Sequence, residues 1–195
     1  SAAGDRCRHL SRTLAWNQEL GRTLAMAMQP EDFIGRGPAL SLERFFDGEV
    51  EAWGLVQDRF GKVRRQFRVT VVGEPTPQGC RLHETFRYDD GAREGRVWEV
   101  RALGDGRYEG TAHDVVGKAV GRAAGPALNW RYRLRLTIGG RRMTIAFDDW
   151  MLLQDERVMI NRARLSKWGI FLGEVLLFFR KPAAAEPSAL SQAAE

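Results

Sequence analysis

The sequence predicts a mainly β protein whose antiparallel strands follow one another as an up-and-down meander. The first observation is strict alternation of apolar and polar residues over 62–71 and 129–138, which indicates strands with one buried and one solvent-facing side. The second is a series of further short segments with weaker alternation, recurring about every 8–12 residues. The third is that turn sequences rich in Asp and Gly separate many of these segments. Together they predict about ten strands joined by hairpins.

The N-terminal element is a predicted helix at 6–28. An apolar residue recurs at every fourth position from Trp16 to Met28, so these side chains share one face, and Pro30 ends the segment. Such a helix docks on the main domain, forms a dimer contact, or lies on a membrane, because basic residues beside an apolar stripe suit an anionic interface. Peripheral membrane contact through 6–28 is therefore one expectation.

The predicted strands follow this helix in order. They cover 49–57, 62–71, 80–88, 96–103, 107–115, 119–124, 129–138, 142–153, 157–164 and 173–180. The clearest turn signals lie at 58–61, 89–91, 104–106 and 139–140. Residues 182–195 hold Pro, Ala, Ser and Glu without an aromatic residue, which predicts a disordered tail. The predicted organisation is a helix and linker at 1–35, a β domain at 36–181 and this tail.

A meander of this length is expected to close on itself, because an open sheet of about ten strands would leave two unpaired edges. Closed barrels of about eight to ten strands hold either packed side chains or one small ligand. The predicted architecture is therefore a lipocalin-like barrel of about 8–10 strands with an N-terminal helix. A two-sheet sandwich or a half-open barrel is the alternative, since alternation does not distinguish them.

Composition restricts the classes of function. The chain of 195 residues has 30 Lys and Arg against 25 Asp and Glu, a formal net charge of +5. These cations are spread along the chain, which disfavours nucleic acid as a partner. The most apolar run, at 170–179, contains Glu174 and is shorter than the roughly 18 residues of a membrane span. Cys7 and Cys80 exclude a disulfide framework and leave a single bridge open.

The sequence lacks the motifs of metal and phosphate chemistry. Its 3 His residues are scattered and do not converge with carboxylates, so no metal or other cofactor is predicted. Gly117, Gly121 and Gly125 are spaced by four, but no phosphate-binding Lys and Ser or Thr follow them. These glycines are interpreted as bends or bulges of a barrel strand.

Two charged residues lie in otherwise apolar rows of neighbouring predicted strands. The strand 142–153 places Asp149 in a row with Phe147, and the following strand places Arg162 in a row with Ile160. Because an unpaired ion is costly inside a barrel, we predict that the two side chains pair. The pair is either a salt bridge closing one barrel end or a polar anchor for the head group of a ligand.

Four further residues complete the predicted ligand site. Asn161 lies beside Arg162 in sequence, Glu84 interrupts another apolar row, and Trp130 and Tyr132 occupy the row of 129–138 that is expected to face inward. The chain has 6 Trp and 10 Phe, and pockets lined by aromatic rings suit acyl chains, isoprenoids and polyenes. A hydrophobic, lipid-like small molecule is therefore the predicted partner.

Four ordered blocks of the chain resemble an uncharacterised bacterial family whose members are often predicted lipoproteins or membrane-anchored proteins of the Gram-negative envelope. The blocks are 45–69, 113–136, 147–151 (FDDWM) and 155–181. The resemblance implies a lipocalin-like fold and a periplasmic or membrane-associated location in the cell envelope, with a cytoplasmic location left open. It implies no activity.

Three functions fit these observations. The leading prediction is a barrel that binds or transfers a lipid-like ligand. The alternatives are an isomerase or cyclase that uses a buried carboxylate on a hydrophobic substrate, and a structural or assembly factor of the envelope. The barrel interior separates them, because an enzyme requires two or more convergent titratable groups and a filled interior favours a structural role.

Overall fold

The computed structural model describes residues 27–182, which form a closed barrel of ten antiparallel strands. A 3₁₀ turn at Pro30–Phe33 and a short helix α1 (Leu42–Phe45) precede the barrel. The strands are β1 (Gly48–Asp58), β2 (Val63–Thr76), β3 (Gly79–Tyr88), β4 (Arg93–Gly104), β5 (Arg107–Thr111), β6 (Ala119–Ala124), β7 (Ala127–Ile138), β8 (Arg141–Leu153), β9 (Val158–Lys167) and β10 (Ile170–Arg180). Each strand pairs with the next, and β1 pairs with β10 from Glu51↔Arg180 to Asp58↔Gly173.

The ten-strand meander and its closure into a barrel confirm the predicted fold class, so the sandwich and half-open alternatives are wrong. The strand predicted at 62–71 runs on to Thr76, and the helix at Leu42–Phe45 was not predicted. A further strand differs in its path. The strand predicted at 107–115 ends at Thr111, and the chain then crosses to β7, where Val115 bridges Leu134 and the Val116 N–H donates to the Arg133 carbonyl. The alternation that continues to Val115 belongs to a segment that runs beside β7.

The two ends of the barrel are built differently. At one end, which we call the covered end, Leu42 and Phe45 of α1 are buried and the Phe46 ring meets the Phe179 ring edge-on at 5.6 Å. Lys181 fastens this cover by donating to the Arg44 carbonyl at 3.0 Å. At the opposite end, which we call the open end, short turns join β1–β2, β3–β4, β7–β8 and β9–β10, and no helix among residues 27–182 lies over them.

The covered half of the barrel is filled by apolar side chains that alternate along each strand. Trp130 lies across the inner faces of the two short strands, and a Cβ at Gly121 or at Gly110 would run into its ring. Gly121 therefore makes room for an aromatic ring and does not form a bend. Gly117 and Gly125 have φ of 75° and 52°, as the interpretation of a bend requires.

Several predictions concern residues outside the range that the structure describes. The helix predicted at 6–28 falls almost wholly there, with its last residues Ala27 and Met28 in coil, and so do Cys7 and residues 183–195 of the predicted tail. From residue 27 to residue 182, no helix is long and apolar enough to cross a bilayer. Over the same residues, no group of His, Cys, Asp and Glu side chains is arranged to hold a metal ion.

Candidate functional site

Asp149 on β8 is the deepest charged side chain of the barrel interior. The register of β8 turns Ile145, Phe147 and Asp149 inward together, and only 5% of Asp149 is exposed. Asn161 of β9, 2% exposed, donates from its amide to one carboxylate oxygen of Asp149. The Tyr132 hydroxyl of β7 donates to the other oxygen at 3.2 Å. Among residues 27–182, Asp149 is thus held by two neutral donors and by no cation.

This environment changes the acidity of Asp149. Burial raises the pKa of Asp149 from 3.8 to about 7, although the hydrogen bonds from Asn161 and Tyr132 lower it. The negative charge of Glu84 adds to the increase. Near neutral pH the carboxyl group is therefore present in both forms, and it can accept or donate a hydrogen bond.

A second group of charged side chains lies across the barrel interior from Asp149, around Arg96 of β4. Its guanidinium contacts both carboxylate oxygens of Asp114, with the shortest distance 2.8 Å, and lies 3.4 Å from Glu84 of β3. All three side chains are largely buried, with 14–18% of each exposed. Charge pairing of this kind is needed wherever arginine is withdrawn from water.

The protonation of this group follows from burial and charge together. Burial raises the pKa of Glu84, and the charge of Arg96 opposes this increase. For Arg96 burial alone would lower the pKa, but Glu84 and then Asp114 raise it above its ordinary value. Arg96 is therefore a permanent cation, whereas Glu84 is a carboxyl that is easily protonated.

Tyr132 couples the two halves of this inner polar cluster, which consists of Glu84, Arg96, Asp114, Tyr132, Asp149 and Asn161. Burial and the charge of Asp149 raise its pKa well above 10, so the hydroxyl stays protonated and acts as a donor. Its ring stacks on Phe147 at 4.9 Å and meets the Trp98 ring edge-on at 5.5 Å. These aromatic contacts fix the position of the hydroxyl.

The Arg96–Asp114 pair also occupies a gap in the barrel wall. The ladder between β4 and β5 begins at Glu99↔Thr111, and in the described chain no strand pairs with residues 93–98 on that side. The segment that carries Asp114 faces this edge of β4. The side-chain pair therefore links the two sides of the wall where backbone pairing stops.

A column of alternating charged and aromatic groups leads from the cluster toward the open end. The Arg96 guanidinium lies 5.5 Å from the centre of the Phe86 ring, which stacks on Tyr88 at 6.1 Å with an interplanar angle of 13°. The Arg65 guanidinium lies 3.3 Å above the Tyr88 ring and pairs with Asp90 at 2.8 Å. The Arg65 Nε is buried and has no hydrogen-bond partner among the described residues.

Two recesses of the surface lie outside the centre of the inner polar cluster. A shallow one of about 400 Å³ is lined by Arg131, Arg133, Asp148 and Ser166 of the outer wall, and Tyr132 and Phe147 also contribute to its lining. A smaller recess of about 70 Å³ lies near Trp53 and is also on the outer wall. Neither contains the carboxyl groups of the inner polar cluster, around which the side chains are packed against one another.

Comparison with known proteins places the chain in a family. Residues 23–181 match the family described as Protein of unknown function (DUF3833). The chain belongs to the DUF3833 family. Among curated proteins, none matches it. A solved structure described as EF1p2_mFAP2b bound to DFHBI is similar at 11% identity and a TM-score of 0.41, with 73% of this chain and 100% of that chain covered.

The predicted Asp149–Arg162 pair is wrong for this DUF3833 chain. Arg162 points outward, with 57% of its side chain exposed, and pairs with Glu174 of β10 at 2.8 Å. Ile160, on the same strand face as Arg162, is exposed as well, whereas Met159 on the other face is fully buried. The two faces of this short strand differ little in hydrophobicity, so alternation gave the wrong inward face.

The other predicted site residues all face inward. Asn161, Tyr132 and Glu84 lie in the inner polar cluster, and Trp130 is buried below it with its ring edge-on to Trp98 at 5.9 Å. The ligand-binding role assigned to them stays a prediction.

Sequence reasoning missed Arg96, and it noted Asp114 as a weaker candidate of the same kind as Glu84 without including it in the predicted ligand site. Arg96 shares a predicted strand face with Trp98 and Val100, so it carries the same signal that identified Asp149, a charge within an apolar row. The signal at Asp114 is weaker, because Asp114 lies beyond the end of β5 and its position depends on the segment that runs beside β7.

Proposed function

We propose that the barrel binds one small hydrophobic, lipid-like molecule through its open half, with Asp149 and Tyr132 as the polar anchor. The proposal rests on a buried carboxyl group that has no cationic partner in the described part of the chain. An amide and a hydroxyl hold it within an apolar and aromatic lining. Ligand sites in barrels combine such a lining with a few convergent polar groups.

The open half supplies the apolar surface for such a molecule. There the inward-facing side chains are only partly buried, unlike their counterparts in the covered half; they include Val56, Tyr88, Leu136, Met143 and Leu165. Covering apolar surface yields about 25 cal/mol per Å². Because the rings around the cluster pack against one another, a ligand that reaches Asp149 has to displace some of them.

The charges of the inner polar cluster restrict the ligand's head group. The cluster holds three carboxyl groups, those of Asp149, Glu84 and Asp114, and one arginine, Arg96, which already pairs with Glu84 and Asp114. A carboxylate or phosphate placed beside Asp149 would meet repulsion from these carboxyl groups, and Arg65, which lies nearer the open end, already pairs with Asp90. A carboxyl with a pKa near 7 and a tyrosine hydroxyl instead suit an uncharged hydroxyl or carbonyl group.

A second candidate function is supported by the acidities of the cluster. Asp149 and Glu84 are both carboxyl groups whose pKa is raised by burial, and Tyr132 lies between them. Such a pair can move a proton to and from a hydrophobic substrate, as isomerases and cyclases require. A location in the cell envelope, which rests on the resemblance to envelope proteins, is part of the proposal for either function.

Native mass spectrometry of the gently purified full-length protein tests the proposal, because a co-purified molecule reveals both occupancy and chemical class. We expect one uncharged amphipathic molecule per chain, and saturable binding of the uncharged dye Nile red that Tyr132→Phe weakens. Arg162→Met, on the outer wall, is the matched control and should leave dye binding unchanged. Absence of any bound molecule together with dye binding insensitive to Tyr132→Phe would refute the proposal, whereas chemical conversion of the bound molecule would favour the second candidate.

A further inference from the structure

The turns of the open end expose two large aromatic side chains. Phe60, in the β1–β2 turn, is 79% exposed, and Trp168, in the β9–β10 turn, is 88% exposed. Both turns lie at the open end because successive strands of the meander run in opposite directions, so the β1–β2 and β9–β10 turns are at the same end. Large apolar side chains exposed so fully and so close to other apolar groups mark an interaction surface.

Aliphatic and cationic side chains surround these two rings. Three exposed aliphatic residues lie at strand ends of the open end, namely Val63, Ile138 and Ile170. The cations are Arg59, Lys62, Arg141, Arg142 and Lys167. The Arg59 guanidinium lies 4.8 Å from the centre of the Phe60 ring, and Lys167 Nζ lies 4.5 Å from that of Trp168. We call these ten residues the open-end rim.

The backbone at Trp168 strengthens the case that its exposure serves a contact. Trp168 has φ of 53°, in the left-handed region where Gly and Asn are favoured and a bulky residue is an outlier. Its neighbour Gly169 also has a positive φ of 79°, as a two-residue hairpin turn requires. An indole ring at this position is unfavourable for the turn conformation and also exposes apolar surface to solvent.

The charge at the two ends of the barrel is unequal. The turns at the covered end carry Asp105, Asp155 and Glu156 against Arg157, whereas three of the four hairpin turns at the open end are basic. The exception is the β3–β4 turn with Asp89 and Asp90, of which Asp90 is paired with Arg65. An anionic surface therefore meets attraction at the open end over the β1–β2, β7–β8 and β9–β10 turns.

We propose that the open-end rim docks on an anionic phospholipid surface. Phe60 and Trp168 enter the boundary between head groups and acyl chains, where amphipathic rings are favoured, and the surrounding cations contact lipid phosphates. This mode faces the open half of the barrel toward the bilayer. It is independent of the helix predicted at 6–28 and does not require the proposed ligand.

Co-sedimentation of the full-length protein with vesicles tests this docking. The vesicles are pure phosphatidylcholine, or phosphatidylcholine with a fraction of phosphatidylglycerol. Removing both rings with Phe60→Ser and Trp168→Asn should weaken binding to the anionic vesicles roughly tenfold or more. Asn suits the positive φ at position 168, so thermal unfolding should show this variant to be at least as well folded as the parent.

Two further variants complete the test. Arg141→Glu with Arg142→Glu should also reduce binding to the anionic vesicles, and added salt should reduce binding of the parent. Phe178→Ser, which removes an exposed ring from the outer wall of β10, should have no effect. Binding that survives loss of both rings, or that is equally strong on pure phosphatidylcholine, overturns the proposal. A dimer that depends on the two rings, in a protein that does not bind vesicles, overturns it as well.

Discussion

The Arg96 guanidinium lies 2.8 Å from Asp114 across the gap where the backbone ladder between β4 and β5 has not yet begun. The ladders that join β1 to β2, β2 to β3, β7 to β8 and β9 to β10 are by contrast long. At this gap one buried ion pair holds the wall. The pair therefore combines a structural role with a position in the inner polar cluster.

Breaking this pair should destabilise the protein strongly. Asp114→Asn leaves a buried guanidinium with only Glu84 as counter-ion, and loss of one partner of a buried pair costs about 3–5 kcal/mol. Urea denaturation measures the change. Arg162→Met breaks an exposed pair with Glu174 on the outer wall and should cost about 0–1 kcal/mol. Equal small effects from both variants would mean that the Arg96–Asp114 pair does not support the wall.

The pH dependence of stability should report the buried carboxyl of Asp149. Its pKa is about 7 in the folded protein and 3.8 when exposed, so the folded state binds the proton more tightly. The stability that this proton confers is complete below about pH 4 and is lost as the pH rises toward 7, by about 4 kcal/mol. Asp149→Asn should remove this component.

Chemical denaturation of the parent and of Asp149→Asn at several pH values measures the effect. Titrating groups remote from the inner polar cluster act equally in both proteins, so the difference between their free energies of unfolding reports Asp149 together with its effect on Glu84. Relative to the parent, the variant should gain stability as the pH rises from 4 to 7. A difference that stays constant over this range would show that the carboxyl is not buried.

The contact between Gly121 and Trp130 predicts a steric effect. A methyl group at Gly121 would overlap the Trp130 ring, and overpacking of a filled core typically costs about 1–3 kcal/mol. Gly121→Ala should therefore lower the thermal unfolding temperature. Gly95→Ala on β4 is the matched control, because its Cβ would meet nothing closer than the Glu84 carbonyl at 3.8 Å. If both variants behaved alike, the ring would not lie across Gly121.

The thiol of Cys80 should be inert in the folded protein. It is buried under the covered end, and burial together with the nearby charge of Glu43 raises its pKa to about 12. In a Cys7→Ser variant, Ellman's reagent should find no reactive thiol at mildly alkaline pH until denaturant is added. Rapid labelling without denaturant would mean that α1 does not cover this end.

The strands could be predicted because alternating apolar and polar residues mark each one within its own segment. Parts of the site depend instead on contacts between distant segments. Asp149 was placed inward correctly because its strand is long and one face is clearly apolar. Arg162 was placed wrongly because β9 presents Ala163 and Asn161 inward and Ile160 outward, which reverses the usual contrast. Asp114 reaches Arg96 through a segment whose path is set by pairing with β7, and no local pattern encodes that path.

The pairing of β1 with β10 joins Glu51 to Arg180, so the last ladder to form links segments from opposite ends of the barrel sequence. During synthesis, the two edges of the growing sheet therefore stay unpaired until β10 has left the ribosome. Contacts between segments so far apart in sequence slow folding, and unpaired edges invite association with other chains. Chains that lack β10 should therefore aggregate, because the barrel cannot close without this strand.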